Sequence, residues 1–350
     1  MPEPMPEPFS TVLPVPAVAF VTGGTGFVGS HLVEALLARG VGEVRCLVRS
    51  DPKWLAGLPR AGRGAVTLVR GDLASGDAMR AALAGAEAVY HVAGLTRAAD
   101  QAALDRANVD GTRAVLAAVR DAAWGVRELV VTSSLEAMGP NRTDGPTGWP
   151  VPATEADRPA PISMYGKSKA AMEAAVRDEF GDLRATVVRP PAVYGPREAD
   201  IFEMIRGASR GVFPVVGDGR VPRLSLVHVR DLVAGMVGAA GVPGETFFVG
   251  SARGYSWDEV HAAIRDALGT PVLRVPVPGA LVGAAGRVAE WAGRIRGTLP
   301  PLTRDKAEAA RHAWTCSVEK AAARFGYAPR IGLGDGMAET VAWYRNEGWL

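Results

Sequence analysis

A tyrosine and a lysine one helical turn apart are the side chains of this sequence best suited to acid–base chemistry. Tyr165 and Lys169 lie in an alanine-rich segment, where a four-residue spacing places both on one face of a helix. Ser134 ends the apolar run 127–134, which predicts a strand that precedes this helix in the chain. A neighbouring cation is expected to lower the pKa of a tyrosine from its usual value of about 10.

These three residue types fit hydride transfer between a cofactor and a ketone or secondary alcohol. Reduction requires a proton donor at the developing alkoxide, and oxidation requires a base. We predict that Tyr165 is this acid/base, that Lys169 is its cationic partner and holds a ribose hydroxyl, and that Ser134 binds the substrate oxygen. The alternative is a tyrosine at a helix start, a solvated lysine and a capping serine.

The glycines near the N-terminus have the spacing that a dinucleotide requires. Gly23, Gly26 and Gly29 follow an apolar run and precede residues 30–39, whose apolar side chains recur at helical spacing. A strand, a tight turn and a helix in this order offer backbone N–H groups to a pyrophosphate, with no Cβ in the way. The chain has 42 glycines, so the spacing alone is weak, but its flanking elements favour nucleotide binding over a plain turn.

The end of the second predicted strand, 43–49, indicates which dinucleotide is preferred. An NAD-binding unit has an acid here for the ribose 2′-hydroxyl, whereas this chain has Val48 and Arg49. A guanidinium suits a 2′-phosphate, so we predict NADP as the preferred cofactor. Asp51, two residues later, keeps NAD possible.

The elements that must position these residues alternate between strand-like and helical segments. This pattern predicts an α/β fold, a doubly wound parallel (Rossmann) sheet with a smaller mixed α+β C-terminal substrate lobe. We assign 15–195 to the nucleotide-binding domain, with 226–250 returning to it, and 196–350 mainly to the substrate lobe. Residues 1–14, rich in proline and glutamate, predict a disordered tail.

Composition narrows the class of partner. The chain has 350 residues and a formal charge of +2, which gives no indication of nucleic-acid binding. Its two cysteines form no metal-binding motif, so we expect no metal and a cytoplasmic location. The sequence has no apolar run of 18 residues, so we predict no integral membrane segment. The helical segment 279–296 is apolar enough to line a substrate pocket. A small molecule is therefore the expected substrate.

The chain resembles the extended short-chain dehydrogenases/reductases of the NAD-dependent epimerase/dehydratase type. The resemblance covers residues 17 to about 235 and rests on Thr22-Gly23-Gly24-Thr25-Gly26-Phe27-Val28-Gly29, Gly71-Asp72-Leu73, His91-Val92-Ala93-Gly94, Asn108-Val109-Asp110-Gly111-Thr112, Ser133-Ser134, Tyr165-Gly166-Lys167-Ser168-Lys169 and Arg189-Pro190-Pro191-Ala192-Val193-Tyr194-Gly195-Pro196. It implies the same roles for Ser134, Tyr165 and Lys169. It also implies that Pro191 to Val193 lie beside the nicotinamide, and that the protein forms a homodimer partly through the Tyr165 helix. The cofactor contacts predicted from the residues and the resemblance together are Gly23, Thr25, Gly26, Phe27, Val28, Gly29, Arg49, Asp72, Leu73, Val92, Ala93, Gly94, Asn108, Thr132, Tyr165, Lys169, Pro191 and Val193.

Three departures from the family's sugar-nucleotide members indicate a different substrate. Arg49 stands near the place of their acid, and a single acid, Glu136, stands after Ser134 where dehydratases have a pair. Their diphosphate-binding arginine would fall at Leu224, whereas Arg223 is one residue off and would face the other side of a strand unless a bulge restores it. We therefore predict an oxidoreductase for an apolar ketone or alcohol, similar to 3β-hydroxysteroid dehydrogenases and dihydroflavonol reductases. The alternatives are a nucleotide-sugar epimerase or dehydratase with tightly bound NAD and, less favoured, a non-catalytic NADPH sensor.

Overall fold

The computed structural model describes residues 14–62, 64–122, 125–143, 149–216, 219–221, 223–278, 281, 284 and 308–350. The tail predicted at 1–14 and the helix predicted at 279–296 lie outside the described residues, apart from Pro14, Leu281 and Ala284.

A seven-stranded parallel sheet forms the centre of the molecule. Its strands are β1 (Val18–Thr22), β2 (Glu43–Val48), β3 (Ala65–Arg70), β4 (Ala88–His91), β5 (Glu128–Thr132), β6 (Thr186–Arg189) and β10 (Thr246–Phe248), in the spatial order β3-β2-β1-β4-β5-β6-β10. Every pairing is parallel. The order reverses between β1 and β4, and a crevice for a ligand is expected at that point. The predicted doubly wound sheet is confirmed.

Helices cover both faces of the sheet. In the described residues they are α1 (Phe27–Ala38), α2 (Gly76–Leu83), α3 (Gln101–Asp105), α4 (Gly111–Ala122), α5 (Met164–Glu179), α6 (Asp200–Ala208), α7 (Val229–Ala239), α8 (Trp257–Leu268), α9 (Glu319–Phe325) and α10 (Leu333–Asn346). One apolar core lies under α1, α7 and α9, and the other lies under α2, α4 and α5. Because the strands are buried on both faces, they are nearly continuous apolar runs rather than alternating ones.

The C-terminal part of the chain builds a third core. It contains side chains of α6, α8 and α10, among them Ile205, Ile264 and Tyr344. Two short parallel pairs accompany it, β7 (Ala192–Tyr194) with β9 (Leu226–His228), and β8 (Val212–Val216) with β11 (Leu273–Val277). Ser256 and Glu259 form a capping box at the start of α8. The division into domains at residue 195 stays a prediction.

Candidate active site

The glycine turn between β1 and α1 is so tight that side chains cannot enter it. Gly23 has φ +73°, and a Cβ built on it would lie 2.6 Å from the Ala93 nitrogen. A Cβ on Gly29 would lie 2.1 Å from the Gly23 carbonyl oxygen, far inside van der Waals contact. Gly26 N donates to this same oxygen at 2.9 Å, which closes the turn. Glycine at these positions lets the helix start press against the strand end.

The first turn of α1 is open to an anion. Its N-cap residue, Gly26, is exposed and provides no side-chain hydrogen bond, and no acidic residue lies in the first turn. Thr25, Phe27 and Val28 are half-buried around it. Free N–H groups and the positive end of the helix dipole attract phosphate. The residues of the turn therefore fit a dinucleotide pyrophosphate.

The residues predicted to contact the adenosine end lie at the carboxyl ends of β2 and β3, which are neighbours in the sheet. Arg49 lies exposed directly after β2, and its positive charge helps to lower the pKa of Asp72, which follows β3. Asp72 is exposed, and its Oδ1 accepts hydrogen bonds from Ala74 N at 3.0 Å and Ser75 Oγ at 2.8 Å, so it shapes the turn before α2. These bonds, that from Ser75 first, lower the pKa of Asp72. Leu73 packs close to Gly111 at the start of α4.

The segment after β4 forms the opposite wall of the crevice. Val92 and Ala93 are half-buried and Gly94 is exposed, and Ala93 N donates to Thr22 Oγ1 at 3.2 Å. A Cβ on Gly94 would come within 3.4 Å of Lys169 Nζ. This wall therefore meets both the glycine turn and the predicted catalytic lysine.

Asn108 is a buried clamp on this wall. Its Oδ1 accepts from Leu95 N at 2.8 Å, and its Nδ2 donates to Leu95 O and Ser168 Oγ, both at 2.9 Å. It lies in a π-helical turn, Arg106–Asp110, of the kind often found at functional sites. The cofactor contact of Asn108 stays a prediction, and in the structure these hydrogen bonds join the loop at Leu95 to α5.

Ser134, Tyr165 and Lys169 lie together at the carboxyl end of β5. The Ser134 hydroxyl lies near enough to the Tyr165 phenol to lower its pKa by hydrogen bonding. Lys169 is 5% exposed, and its Nζ donates to Thr132 O at 2.8 Å, two residues before Ser134. The Thr132 hydroxyl is buried with no hydrogen-bond partner among the described residues, which leaves a donor and acceptor at this edge. The strand end and the first turn of α5 thus bring the three predicted residues together.

The electrostatics of the site differ from the expectation in one respect. The pKa of Tyr165 is raised above its ordinary value, first by burial and then by the negative charge of Glu136, while the bond with Ser134 opposes the shift. Burial lowers the pKa of Lys169 to about 8, against the opposing effect of Glu173. The pKa of Tyr165 thus moves in the opposite direction to the one predicted, because burial penalises the phenolate, and Lys169 is not among the groups that shift it.

Two further predicted contacts lie on the segment after β6. Pro191 is buried, with its ring 3.1 Å from a Cβ built on Gly250. Val193 is half-buried in β7, which pairs with β9. Both residues follow the carboxyl end of β6, beside β5 and its Ser134 edge.

Glu136 is a site residue whose contacts the sequence analysis missed. Its carboxylate accepts a hydrogen bond from Ser163 Oγ at 2.6 Å, and its backbone N donates to Ser134 Oγ at 3.1 Å. Ser163 caps α5 by accepting from Gly166 N at 2.9 Å. In the sequence, a serine three residues before Gly166 indicated an N-cap at Ser163. Its hydrogen bond with Glu136, 27 residues earlier in the chain, could not be predicted from residue spacing.

The segment before β9 contains the bulge that the sequence analysis left open. Arg223 N and Leu224 N both donate to the Tyr255 carbonyl oxygen, at 2.9 and 3.0 Å. Two residues opposite one are the pattern of a β-bulge, which changes the direction of a side chain. With this bulge, Arg223 need not face away from a diphosphate as it would on a regular strand.

Comparison with known proteins agrees with this geometry. The family model of the NAD dependent epimerase/dehydratase family matches residues 19–250. The chain belongs to this family. It is an NAD(P)-dependent oxidoreductase of the extended short-chain dehydrogenase/reductase type, as predicted.

Two curated relatives and one solved structure illustrate the likeness. The chain is 35% identical to the ceramide reductase of Caulobacter vibrioides (strain NA1000 / CB15N), over 95% of this chain and 96% of the relative. It is 30% identical to the 4-hydroxy-2-methyl-3-oxo-4-farnesyl-3,4-dihydroquinoline-1-oxide ketoreductase of Stigmatella aurantiaca, over 89% and 92%. The structure of MoeE5 in complex with UDP-glucose and NAD superposes with a TM-score of 0.71 at 25% identity, covering 94% of this chain and 99% of MoeE5.

No helix in the described part of the chain combines the length and the apolar character needed to cross a bilayer.

Proposed function

We propose that this protein is an NADPH-dependent ketoreductase that acts on an apolar, lipid-like substrate. The observation that carries the proposal is the arrangement of Tyr165 next to Ser134 and beside a buried Lys169 at the carboxyl end of β5. Support for the substrate class comes from the relatives named above, a ceramide reductase and a ketoreductase of a farnesylated compound.

The reaction divides its tasks among the three side chains. The nicotinamide supplies the hydride when the cofactor is bound. Ser134 donates a hydrogen bond to the substrate carbonyl oxygen, and Tyr165 passes its phenolic proton to that oxygen as it becomes an alkoxide. The raised pKa of Tyr165 keeps the phenol protonated, which suits the direction of reduction. Lys169 holds a ribose hydroxyl and offsets the charge of the phenolate after the transfer.

The preference for NADPH is supported by Arg49. Its guanidinium is exposed at the end of β2, where the ribose 2′-position of a dinucleotide is expected. A planar guanidinium can bind two oxygens of the NADPH 2′-phosphate at once, whereas the 2′-hydroxyl of NADH offers it only one oxygen. Asp72, one strand further along, would accept from the adenine amino group.

The surroundings of the catalytic residues support an apolar substrate. Leu95 and Ile162 are large apolar side chains that are 43% and 38% exposed. Leu95 follows Gly94, which approaches Lys169, and Ile162 lies three residues before Tyr165. Apolar surface left exposed beside polar catalytic groups is typical of a ligand site for a hydrophobic compound.

Replacing Tyr165 with Phe tests the proposal. The variant removes the proton donor, so NADPH should still bind while ketone reduction falls by about 100-fold or more. NADPH consumption is measured with a panel of long-chain 3-ketones and steroid ketones. Tyr255→Phe, in the C-terminal part of the chain, is the matched control and should retain turnover. Retained turnover in Tyr165→Phe would refute the assigned role.

Epimerisation of a sugar nucleotide is the second candidate function. The bulge at Arg223 and Leu224 favours it, because it allows an arginine to meet a diphosphate. The MoeE5 complex with UDP-glucose and NAD shows that a similar fold accommodates such ligands. Turnover of UDP-glucose by purified protein with no added cofactor would establish this function in place of ketone reduction.

We also propose that the protein is a homodimer with an interface that includes α5. The support is the family resemblance. Light scattering coupled to size-exclusion chromatography would give the mass of two chains, and a mass of one chain would refute the proposal.

A further inference from the structure

Arg197 makes three contacts with parts of the molecule that lie far from it in the sequence. Its Nη1 donates to Ser30 Oγ at 3.0 Å, and its Nη2 donates to the Glu34 carboxylate at 2.7 Å. Its guanidinium also lies over the ring of Trp54, with 5.2 Å between the guanidinium carbon and the ring centre. The side chain is 17% exposed, so these contacts are partly shielded from water and are stronger than surface pairs.

The three contacts reach two other segments that are predicted to face the cofactor. Ser30 and Glu34 lie on α1, the helix whose first turn fits the pyrophosphate. Trp54 lies in the loop after β2, five residues past Arg49. Arg197 itself follows β7, whose Val193 is expected beside the nicotinamide. One guanidinium thus joins the segments predicted to contact the pyrophosphate, the adenosine 2′-phosphate and the nicotinamide.

The backbone of Arg197 shows that its position is constrained. Its φ is +75°, in the left-handed region that arginine rarely adopts. Such a conformation persists only where surrounding contacts determine it, and it is found frequently at functional sites. The hydrogen bonds to α1 and the contact with Trp54 are those contacts.

The loop after β2 is also held from its other side. Trp54 meets Trp343 of α10 edge to face, with ring centres 5.6 Å apart and an interplanar angle of 67°. Trp54 therefore lies between Arg197 and the C-terminal helix. The position of the Arg49 loop depends on both partners rather than on the strand end alone.

We propose that Arg197 is a positioning residue that fixes the spacing between the glycine turn and the Arg49 loop, and thereby sets the affinity for NADP(H). Arg197 acts through Ser30, Glu34 and Trp54, without touching the cofactor. The choice of NADP(H) rests on the proposed function. The spacing matters most for a ligand that spans both segments and ends in a 2′-phosphate, so NADPH should depend on Arg197 more than NADH does.

The test compares Arg197→Lys with Arg206→Lys. Lysine keeps the charge but loses the fork and the flat face that meet α1 and Trp54. Arg206 is the matched control, because it also has an acidic partner, Glu203, and an aromatic one, Phe202 at 5.5 Å, but these contacts stay within α6. Dissociation constants for NADPH and NADH are measured by fluorescence titration, and kcat is measured at saturating NADPH.

We expect Arg197→Lys to raise the dissociation constant of NADPH about tenfold and that of NADH about threefold or less, while kcat at saturation stays within a factor of about two. Trp54→Phe should weaken NADPH in the same direction, and the double variant should show less than the sum of the two effects. Arg206→Lys should match wild type.

Three results would count against the inference, and they are distinguishable. Unchanged NADPH affinity in both Arg197→Lys and Trp54→Phe overturns the positioning role alone. Equal losses of NADPH and NADH affinity, together with a lowered melting temperature, assign Arg197 a merely structural role. Wild-type protein that binds neither dinucleotide overturns the proposed function together with this inference.

Discussion

A methyl group added at Gly29 should disable cofactor binding by opening the glycine turn. The Cβ of Gly29→Ala would lie 2.1 Å from the Gly23 oxygen, 2.7 Å from its carbonyl carbon and 3.0 Å from the Gly24 Cα. All three are backbone atoms, so no side chain can rotate away. Relieving the contact requires the start of α1 to move from β1 by about 1 Å, at a cost of about 1–3 kcal/mol of folding stability.

The same displacement changes what the turn offers to a pyrophosphate. The bond from Gly26 N to Gly23 O, now 2.9 Å, would lengthen beyond hydrogen-bond distance, and the N–H groups of the first turn would shift with it. Misplacing binding groups by about 1 Å costs on the order of a hundredfold in function. We expect the dissociation constant of NADPH to rise by about this factor.

Fluorescence titration with NADPH and thermal unfolding measure the two effects separately. Gly57→Ala is the matched control, because nothing lies within 4 Å of a Cβ at that position. Gly26→Ala should fall between the two, since its single close contact is 3.2 Å from the Gly23 oxygen. If Gly29→Ala binds NADPH as tightly as Gly57→Ala, the turn does not hold the pyrophosphate, and the assignment of the crevice is refuted.

Two further predictions concern carboxylates near the site. Glu173→Gln leaves the Arg189 guanidinium buried beside a neutral partner, so the free energy of unfolding measured by urea titration should drop by about 3–5 kcal/mol. The control is Glu179→Gln, which removes the charge from the exposed pair with Arg113 and should lower the free energy of unfolding by under about 1 kcal/mol. Glu136→Gln removes the charge that raises the pKa of Tyr165, so the alkaline limb of the pH profile of ketone reduction should shift to lower pH. An unmoved limb would show that Tyr165 does not respond to Glu136.

Much of the fold followed from local patterns in the sequence. The apolar runs predicted the parallel strands, because strands buried on both faces contain few polar residues. The glycine spacing predicted the turn at Gly23 to Gly29, and the three-residue spacing of Ser256 and Glu259 is the sequence pattern of the capping box that the structure contains. These signals are short-range, so a single sequence is enough to detect them.

Other features of the candidate site did not follow from spacing. Asn108 hydrogen-bonds the Leu95 backbone, and the bulge at Arg223 and Leu224 depends on the Tyr255 carbonyl. The direction of the Tyr165 pKa shift was predicted wrongly. Burial dominates that shift, and the degree of burial is known only when neighbouring segments are in place.

The sequence by itself therefore determined the class of fold, the family and the residue types available for chemistry. Tertiary structure decided which charges meet, as in the contact of Arg197 with Glu34, 163 residues away along the chain. Hydrophobic periodicity and turn signals depend on residues that are close together in the sequence, so they can be recognised from the sequence alone. Burial, electrostatics and long-range hydrogen bonds depend on distances that exist only after the sheet has brought remote segments to a common edge.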